Sequence, residues 1–561
     1  MTDLLSGQLG YTFILSIVDA VILAAALIWW YRRSLSILMR QSGSSVARPA
    51  PVPRVPVPTW ATVDAQTAAP LTFAVHDHAL AAAASVLSAG VARTRLLAAY
   101  GAGAALHAAL MTVLQLGTDP SAHLPPLWFA TWCIGLWPLV PTVVMLLVLD
   151  RASGIGMVAG FVAANAVGVV LVTLAGQITR GHFSSAPFTN AFWLTDMLAV
   201  TVFFPMVLVA LTVWRRVRAV MPLVFATTLV FGMTLAVVRE GLNAVFNDPR
   251  GRVLLLDATT FTSARVVYYG LFLLAALPVG VVALWMLRRL ASAFERHRFS
   301  DVQLVIDCCW VVATAEQVSS TLALRLGWHA IPAGALAFVL YRVTVAVVLR
   351  AWQPTADPNA PRLLLLRVFG HQARTEALFD RIAQRWRFRG PVQLIAGVDL
   401  AGRTIDPSET LAFISGRLRD RYVATVESIP SHLAGLAARI DPDARYRVNG
   451  LYCRADTWQA TLEALLDVSD RVLIDLRSFD ETNAGCIFEL RTLMARVPTG
   501  RLVIISDHTT NLDLTKRVLT EAWASARAQG VARGAGEITI VPVERQSRAD
   551  VRLVLSRLAR G

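Results

Sequence analysis

The chain has 561 residues, 55% of them hydrophobic and only 16% charged, with a mean hydropathy of +0.54. Soluble proteins carry about 25% charged residues, so this composition excludes a wholly soluble protein. The +14 net charge is uneven: before residue 355 there are 23 Lys+Arg against 14 Asp+Glu, and after it 29 against 24. Most N-terminal arginines end apolar runs, as at Arg32-Arg33, Arg215-Arg216 and Arg288-Arg289. That is the pattern of membrane-topology determinants, not of a phosphate-binding stripe, so no nucleic-acid partner is expected.

Apolar runs near the roughly 20 residues that span a bilayer occur at 10–31, 96–118, 127–149, 153–177, 188–213, 219–238, 266–287, 302–324 and 330–349. The expected layout is a first transmembrane helix (1–31), a Pro/Ala-rich cytoplasmic linker (32–95) and a transmembrane helical domain (96–350). A second linker (351–361) then leads to a cytoplasmic α/β domain (362–561). The stretch PAPVPRVPVP at 49–58 reads as stiff and extended, and the Ala-rich stretch 79–92 as an interfacial helix. With the N-terminus outside, sixteen arginines fall in inside segments and five outside. The expectation is a multi-pass protein of the bacterial inner membrane, with the bilayer as its first partner and its C-terminal domain in the cytoplasm.

Ionisable residues inside spans are functional candidates, and Asp196, Asp307, Glu316 and Arg342 qualify. Glu316 and Arg342 read as lying at similar depth on the last two spans, which predicts an ion pair pinning a hairpin around residues 327–329. A transport or proton pathway is the sharper alternative. His76-Asp77-His78 lacks a third ligand, and the five cysteines show no ligand spacing, so no metal site is expected.

Beyond residue 355, strands are predicted at 363–368, 392–396, 472–476, 502–506 and 538–543. Helices are predicted between and after them, near 372–388, 408–421, 457–468, 484–497, 513–528 and 547–559. Apolar strands alternating with helices predict a doubly wound parallel sheet, with ligands bound at the carboxyl ends of the strands. That rim offers Arg367, Phe369, Asp399 and Arg477, with Asp507, His508, Glu544 and Arg545 further along, and it lacks both the dinucleotide-binding and the P-loop glycine patterns. The segment DRVLIDLRSFDETNAGCIFEL at 470–490 is the most informative. Asn483 is expected to cap a helix whose apolar face carries Cys486, Leu490, Leu493, Met494 and Val497. Glu489 is expected in its first turn, ionised by the helix dipole, partly sheltered and facing the crevice. Such a carboxylate suits stabilisation of a ribosyl cation while an N-glycosidic bond breaks. A plain dipole-complementing glutamate, and a core Cys486, are the bland alternatives.

A strand, a polar turn and a helix reading Cys486-x-x-Glu489-Leu490 resemble the third strand and following helix of Toll/interleukin-receptor (TIR) domains. They are also similar to the nucleoside 2-deoxyribosyltransferases. LLLLRVFG at 363–370 resembles the first TIR strand, and VDLAGRTI at 398–405 the loop after the second. Gly485 stands where TIR domains have Trp, and the stretch between Asp420 and Thr457 has no place in a minimal TIR domain. The whole chain also resembles uncharacterised proteobacterial multi-pass membrane proteins, which implies architecture and no activity.

The resemblance implies a TIR-like, flavodoxin-like domain in a membrane-anchored signalling protein that binds and cleaves a nucleotide such as NAD. Glu489 would be catalytic, Phe369 or Phe488 would stack on the base, Arg367 or Arg477 would meet phosphate, and Asp399 and Asn483 would line the site. NAD enters as substrate and no resident cofactor is implied. A silent interaction module that self-associates, and a transporter with a regulatory domain, stand beside this reading.

Overall fold

The protein is described by a computed structural model covering residues 2–40, 71–75, 84–117, 163, 174, 220–253, 260, 262–319, 326–352, 357, 359–367, 372–396, 407–436, 439–454, 456–545 and 547–560. Apart from two isolated positions, the spans expected at 127–149, 153–177 and 188–213 lie outside the described residues. So do Asp196, Phe369, Asp399 and His76-Asp77-His78. The chain forms two compact units. The first comprises Met1–Tyr31, Thr94–Trp352 and Ile405–Gly416, and the second Arg32–Arg93, Gln353–Thr404 and Arg417–Gly561.

The first unit is built on α1 (Thr2–Arg40), α2 (Ala84–Gly117), α3 (Met221–Asn247), α4 (Ala264–Glu295), α5 (Asp301–Gln317) and α6 (Ala330–Ala351). Their starts follow local chemistry. Pro222 sits in the first turn of α3, where its missing N–H removes no helical bond. Ser300 opens α5 with a capping box: its hydroxyl accepts from Gln303 N, and Gln303 Oε1 accepts from Ser300 N. Residues 84–92, expected as a separate interfacial helix, are the first turns of α2.

Five described segments are long and apolar enough to cross a membrane: Leu15–Leu35, Thr94–Leu114, Met221–Asn247, Ala264–Glu295 and Gly327–Ala351. Along α4, Leu273, Leu274, Leu277, Val281 and Trp285 are all exposed, an apolar surface that calls for lipid or a partner. Small residues let the helices approach closely. A side chain at Gly103 would meet Tyr341 and Val345, and one at Gly334 would meet Val318 and Thr314.

The second unit is an all-parallel eight-stranded sheet. The segment between α1 and α2 supplies β1 (Thr72–Val75). After α6 come β2 (Leu363–Arg367), α7 (Gln372–Trp386) and β3 (Val392–Ala396). Next in the chain is α8 (Pro407–Ile414), which belongs to the first unit. The rest is β4 (Tyr422–Val423), α9 (Ile429–Ala434), β5 (Val448–Cys453), α10 (Trp458–Val468), β6 (Arg471–Asp475), α11 (Ala484–Arg496), β7 (Leu502–Ser506), α12 (Leu512–Ala528), β8 (Glu537–Pro542) and α13 (Arg548–Arg560). The strand order is β1-β8-β7-β6-β2-β3-β5-β4.

Side chains alternate across this sheet as a period of two requires. Leu364, Leu366, Val472, Ile474 and Ile504 pack under α10, α11 and α12. Leu363, Leu365, Leu473, Val503 and Ile505 pack on the opposite face with α7 and α13. Both faces are covered, which is why these strands read as unbroken apolar runs.

The helix expected at 408–421 departs from the pattern. It ends at Ile414, and instead of covering the sheet it joins the first unit. Leu411 is buried there with Phe225, Phe294, Phe299 and Leu304. Phe413 meets Trp30 and Tyr31 edge-on at 5.3 and 5.5 Å, and the Tyr31 hydroxyl donates to Glu409 Oε2 at 3.3 Å. Four consecutive positions, Leu411 to Ile414, are apolar, so the short helix finds its burial among the long ones. Leu411→Ala should destabilise the first unit by about 2–4 kcal/mol while Leu411→Met costs under about 1.5, read by thermal unfolding in detergent.

Candidate functional site

Within the sheet, β3-β2-β6-β7-β8 follow the 2-1-3-4-5 order of one class of doubly wound folds. The chain leaves β2 to one side for β3 and later returns to the other side for β6. The carboxyl ends of β2 and β6 therefore flank the reversal where such sheets open a crevice. Arg367 ends β2 and Asp475 ends β6, and the two are register partners.

Around them is a tight ionisable cluster. Arg477 folds back onto Asp475, with Nε to Oδ1 at 2.9 Å and Nη2 to Oδ2 at 2.7 Å, and both are buried. This guanidinium is thus held against the Asp475 carboxylate through Nε and Nη2. Glu489 projects from α11 and is 2% exposed. Among the described residues its Oε2 has no hydrogen-bond partner. Burial pushes its pKa from 4.5 up to about 8, and the nearby Arg367 charge only partly opposes the shift.

The expectation of an ionised first-turn carboxylate is thereby overturned. Helix α11 starts at Ala484, so Glu489 is its sixth residue, beyond the reach of the terminal N–H groups, and desolvation outweighs the dipole. Asn483 does stand at the N-cap position, but it caps nothing: its Oδ1 accepts from Asp480 N at 2.9 Å. The preceding turn draws it away. Phe488 packs edge-on against Trp458 of α10 at 5.4 Å and is partly buried against the core beneath the sheet. Cys486 lies in the core, and burial with the neighbouring Glu489 and Asp475 charges pushes its thiol well above the ordinary range, which suits packing and not nucleophilic work.

The loops after β6 and β7 meet beside this cluster. Ser478 has φ +64°, the left-handed region that costs a non-glycine residue roughly 1–3 kcal/mol. Its N–H donates to Thr509 Oγ1 at 3.0 Å, and its own Oγ lies 3.2 Å from that same oxygen. The Thr509 hydroxyl in turn donates to Oδ1 of the buried Asp507. Further along the rim, His508 Nδ1 sits 2.7 Å from Glu544 Oε2, both exposed. Ser478 and Thr509 were not singled out from the sequence. They are 31 residues apart, and the only signal was that each follows a buried strand in a run of small polar residues.

In the first unit, Arg342 does not pair with Glu316. Its Nε lies 2.8 Å from Asp307 Oδ2. Helices α5 and α6 are antiparallel and in register with Gly334 against Thr314, so Arg342, two turns further along α6, reaches two turns back along α5. The Tyr341 hydroxyl donates to Asp307 at 3.4 Å, and its ring stacks on Trp310 at 3.9 Å. His107 Nε2 lies 3.3 Å from Thr314 Oγ1.

Among the described residues no group of three His, Cys, Asp or Glu side chains is placed to hold a metal ion. Comparison with protein-family models, with curated proteins and with solved structures returns no match.

Proposed function

We propose that this chain is a membrane-anchored signalling protein of the bacterial inner membrane whose cytoplasmic TIR-like domain binds and cleaves a nucleotide such as NAD at the β2/β6 edge. One observation carries the reading: a buried carboxyl, Glu489, with an oxygen that has no partner among the described residues, beside Arg367 at the reversal of the sheet. A protein spends stability to keep such a group, and perturbed carboxyls at a strand-end crevice mark ligand sites. Arg367 supplies positive charge for phosphate, and Glu489 takes the ribose hydroxyls.

The high pKa of Glu489 sharpens the mechanism. The group is largely protonated at pH 7, so it offers a hydrogen bond to an incoming ribose hydroxyl. A cationic nicotinamide ribose brings positive charge and draws that proton off. The resulting carboxylate then stabilises the ribosyl cation as the C1′–N bond breaks. The topology is supported by β1, which lies between α1 and α2 in sequence and pairs in parallel with β8. A hydrogen-bonded sheet occupies one side of a bilayer, so the segment after α1 and the C-terminal strands share a compartment, and the arginine clusters make it the inside.

The test is nicotinamide release by the full chain in detergent. Wild type should release it, with rate rising as pH increases toward 8. Glu489→Gln should slow the release of nicotinamide by about 100-fold or more while Kd for NAD changes less than tenfold. Equal rates for wild type and Glu489→Gln, or no NAD binding by wild type at millimolar concentration, would discard the reading.

A further inference from the structure

We infer that Ser478 is the acceptor hydroxyl of this site: the domain transfers the ribosyl group of its bound nucleotide onto its own Ser478. The inference rests on the nucleotide reading above and extends it to the fate of the ribosyl group.

The argument starts from hydrogen counting. The Thr509 hydroxyl donates to Asp507 Oδ1, so its single hydrogen is committed there. Thr509 Oγ1 is then left as an acceptor, and it receives the Ser478 N–H. The contact at 3.2 Å between the two hydroxyl oxygens can be satisfied only if Ser478 Oγ–H donates to Thr509. The result is a directed chain, Ser478 to Thr509 to Asp507, that draws hydrogen away from Ser478. The serine oxygen keeps its lone pairs for an electrophile.

Position agrees with this role. Ser478 is three residues beyond Asp475, in the loop that joins β6 to α11, the helix that carries Glu489. Its left-handed backbone is held by the same Thr509 contact that orients its side chain. Asp507 is held in turn: Thr509 N donates to its Oδ1 at 2.9 Å, and its own N–H donates to Thr510 Oγ1 at 3.0 Å. Strain maintained by a buried carboxylate at a strand-end crevice marks a positioned group.

The base decides the class of electrophile. A carboxylate is a weak base toward an alcohol, so this relay does not produce a free alkoxide ready to attack an ester or amide carbonyl. It suffices where the hydroxyl meets a centre that is already cationic and its proton departs late. A ribosyl cation is such a centre. The C1′–N bond breaks, its electron pair leaves with neutral nicotinamide, and Ser478 Oγ bonds to C1′. The serine proton moves to Thr509 Oγ1 as the Thr509 proton moves to Asp507, from which solvent removes it. Atoms and charge balance with no further reactant.

The experiment incubates the full chain in detergent with NAD and maps adducts by peptide mass spectrometry, with NAD binding measured in parallel. One ADP-ribosyl group should appear on Ser478, and Ser478→Ala should carry none. Thr509→Val should slow the modification tenfold or more and Thr509→Ser should restore it, which guards against a fold defect as the cause. Nicotinamide release with no adduct on Ser478, or an adduct formed equally fast in Thr509→Val, overturns the inference and leaves the nucleotide reading standing. Absence of NAD binding removes both.

Discussion

Arg342→Met should destabilise the helical unit by about 3–5 kcal/mol, because it leaves the sheltered Asp307 carboxyl without its guanidinium. Asp307→Asn should cost less, since the amide oxygen still accepts from Tyr341 and from the Arg342 guanidinium. The double variant Asp307→Leu with Arg342→Met should recover most of the loss, because an ion pair exchanged for packed apolar side chains is often neutral or better. Thermal unfolding in detergent reads all three. If the single Arg342 variant unfolds with wild-type midpoint, the pair does not hold α5 to α6. If the double variant is stable yet inactive in the cell, the pair serves function and not only assembly.

Glu489→Gln should remove a pH dependence from the α/β unit. The folded carboxyl keeps its proton up to about pH 8, whereas its ordinary pKa is 4.5. The stability linked to this group is therefore complete below pH 4.5 and is lost as pH rises toward 8, at about 1.4 kcal/mol per pH unit. Glutamine imitates the protonated form and carries no such slope. The difference between the two proteins should be constant below about pH 4, and it should shift steadily in favour of the variant up to pH 8. The buried thiol of Cys486 reports the transition: its denaturant midpoint for labelling should fall with pH in wild type and stay level in Glu489→Gln. Parallel slopes in both would mean that Glu489 is already ionised in the folded protein.

The five predicted strands of the C-terminal region match β2, β3, β6, β7 and β8 within a residue or two, because strands buried on both faces are continuous apolar runs. The strands that escaped lack that signature. β4 has two residues, β5 reads VNGLYC with its first half only partly buried, and β1 is a tetrapeptide far from its partner in sequence. Strand pairing in β1 comes from the exposed edge of β8, which no local pattern encodes. The crossover helix α8 was misplaced for a related reason: its apolar residues announce burial, not the surface that provides it.

At the candidate site, residue identity was legible and electrostatic state was not. The run from Asp475 to Glu489 stood out because charge follows a buried strand, and Glu489, Arg367 and Asp475 do converge there. Ionisation depends on how completely neighbours exclude water. That excluded volume, assembled from β2, β6 and α11, turned an expected carboxylate into a group that keeps its proton. Arg477 and Asn483 likewise make short-range bonds, to Asp475 and Asp480, that the sequence does not announce. Sequence depth along α5 and α6 suggested Glu316 for Arg342, and the close approach at Gly334 set a register that delivers Asp307 instead.

Hydropathy and period by themselves therefore determined which segments are apolar helices, which are buried strands and where the two kinds of texture change, since burial of side chains is a local demand. Only the tertiary structure decided which distant segments share a sheet, where α8 docks, which acid Arg342 meets and whether Glu489 carries charge. Each of these depends on distance and water exclusion between parts of the chain that the linear order leaves unrelated.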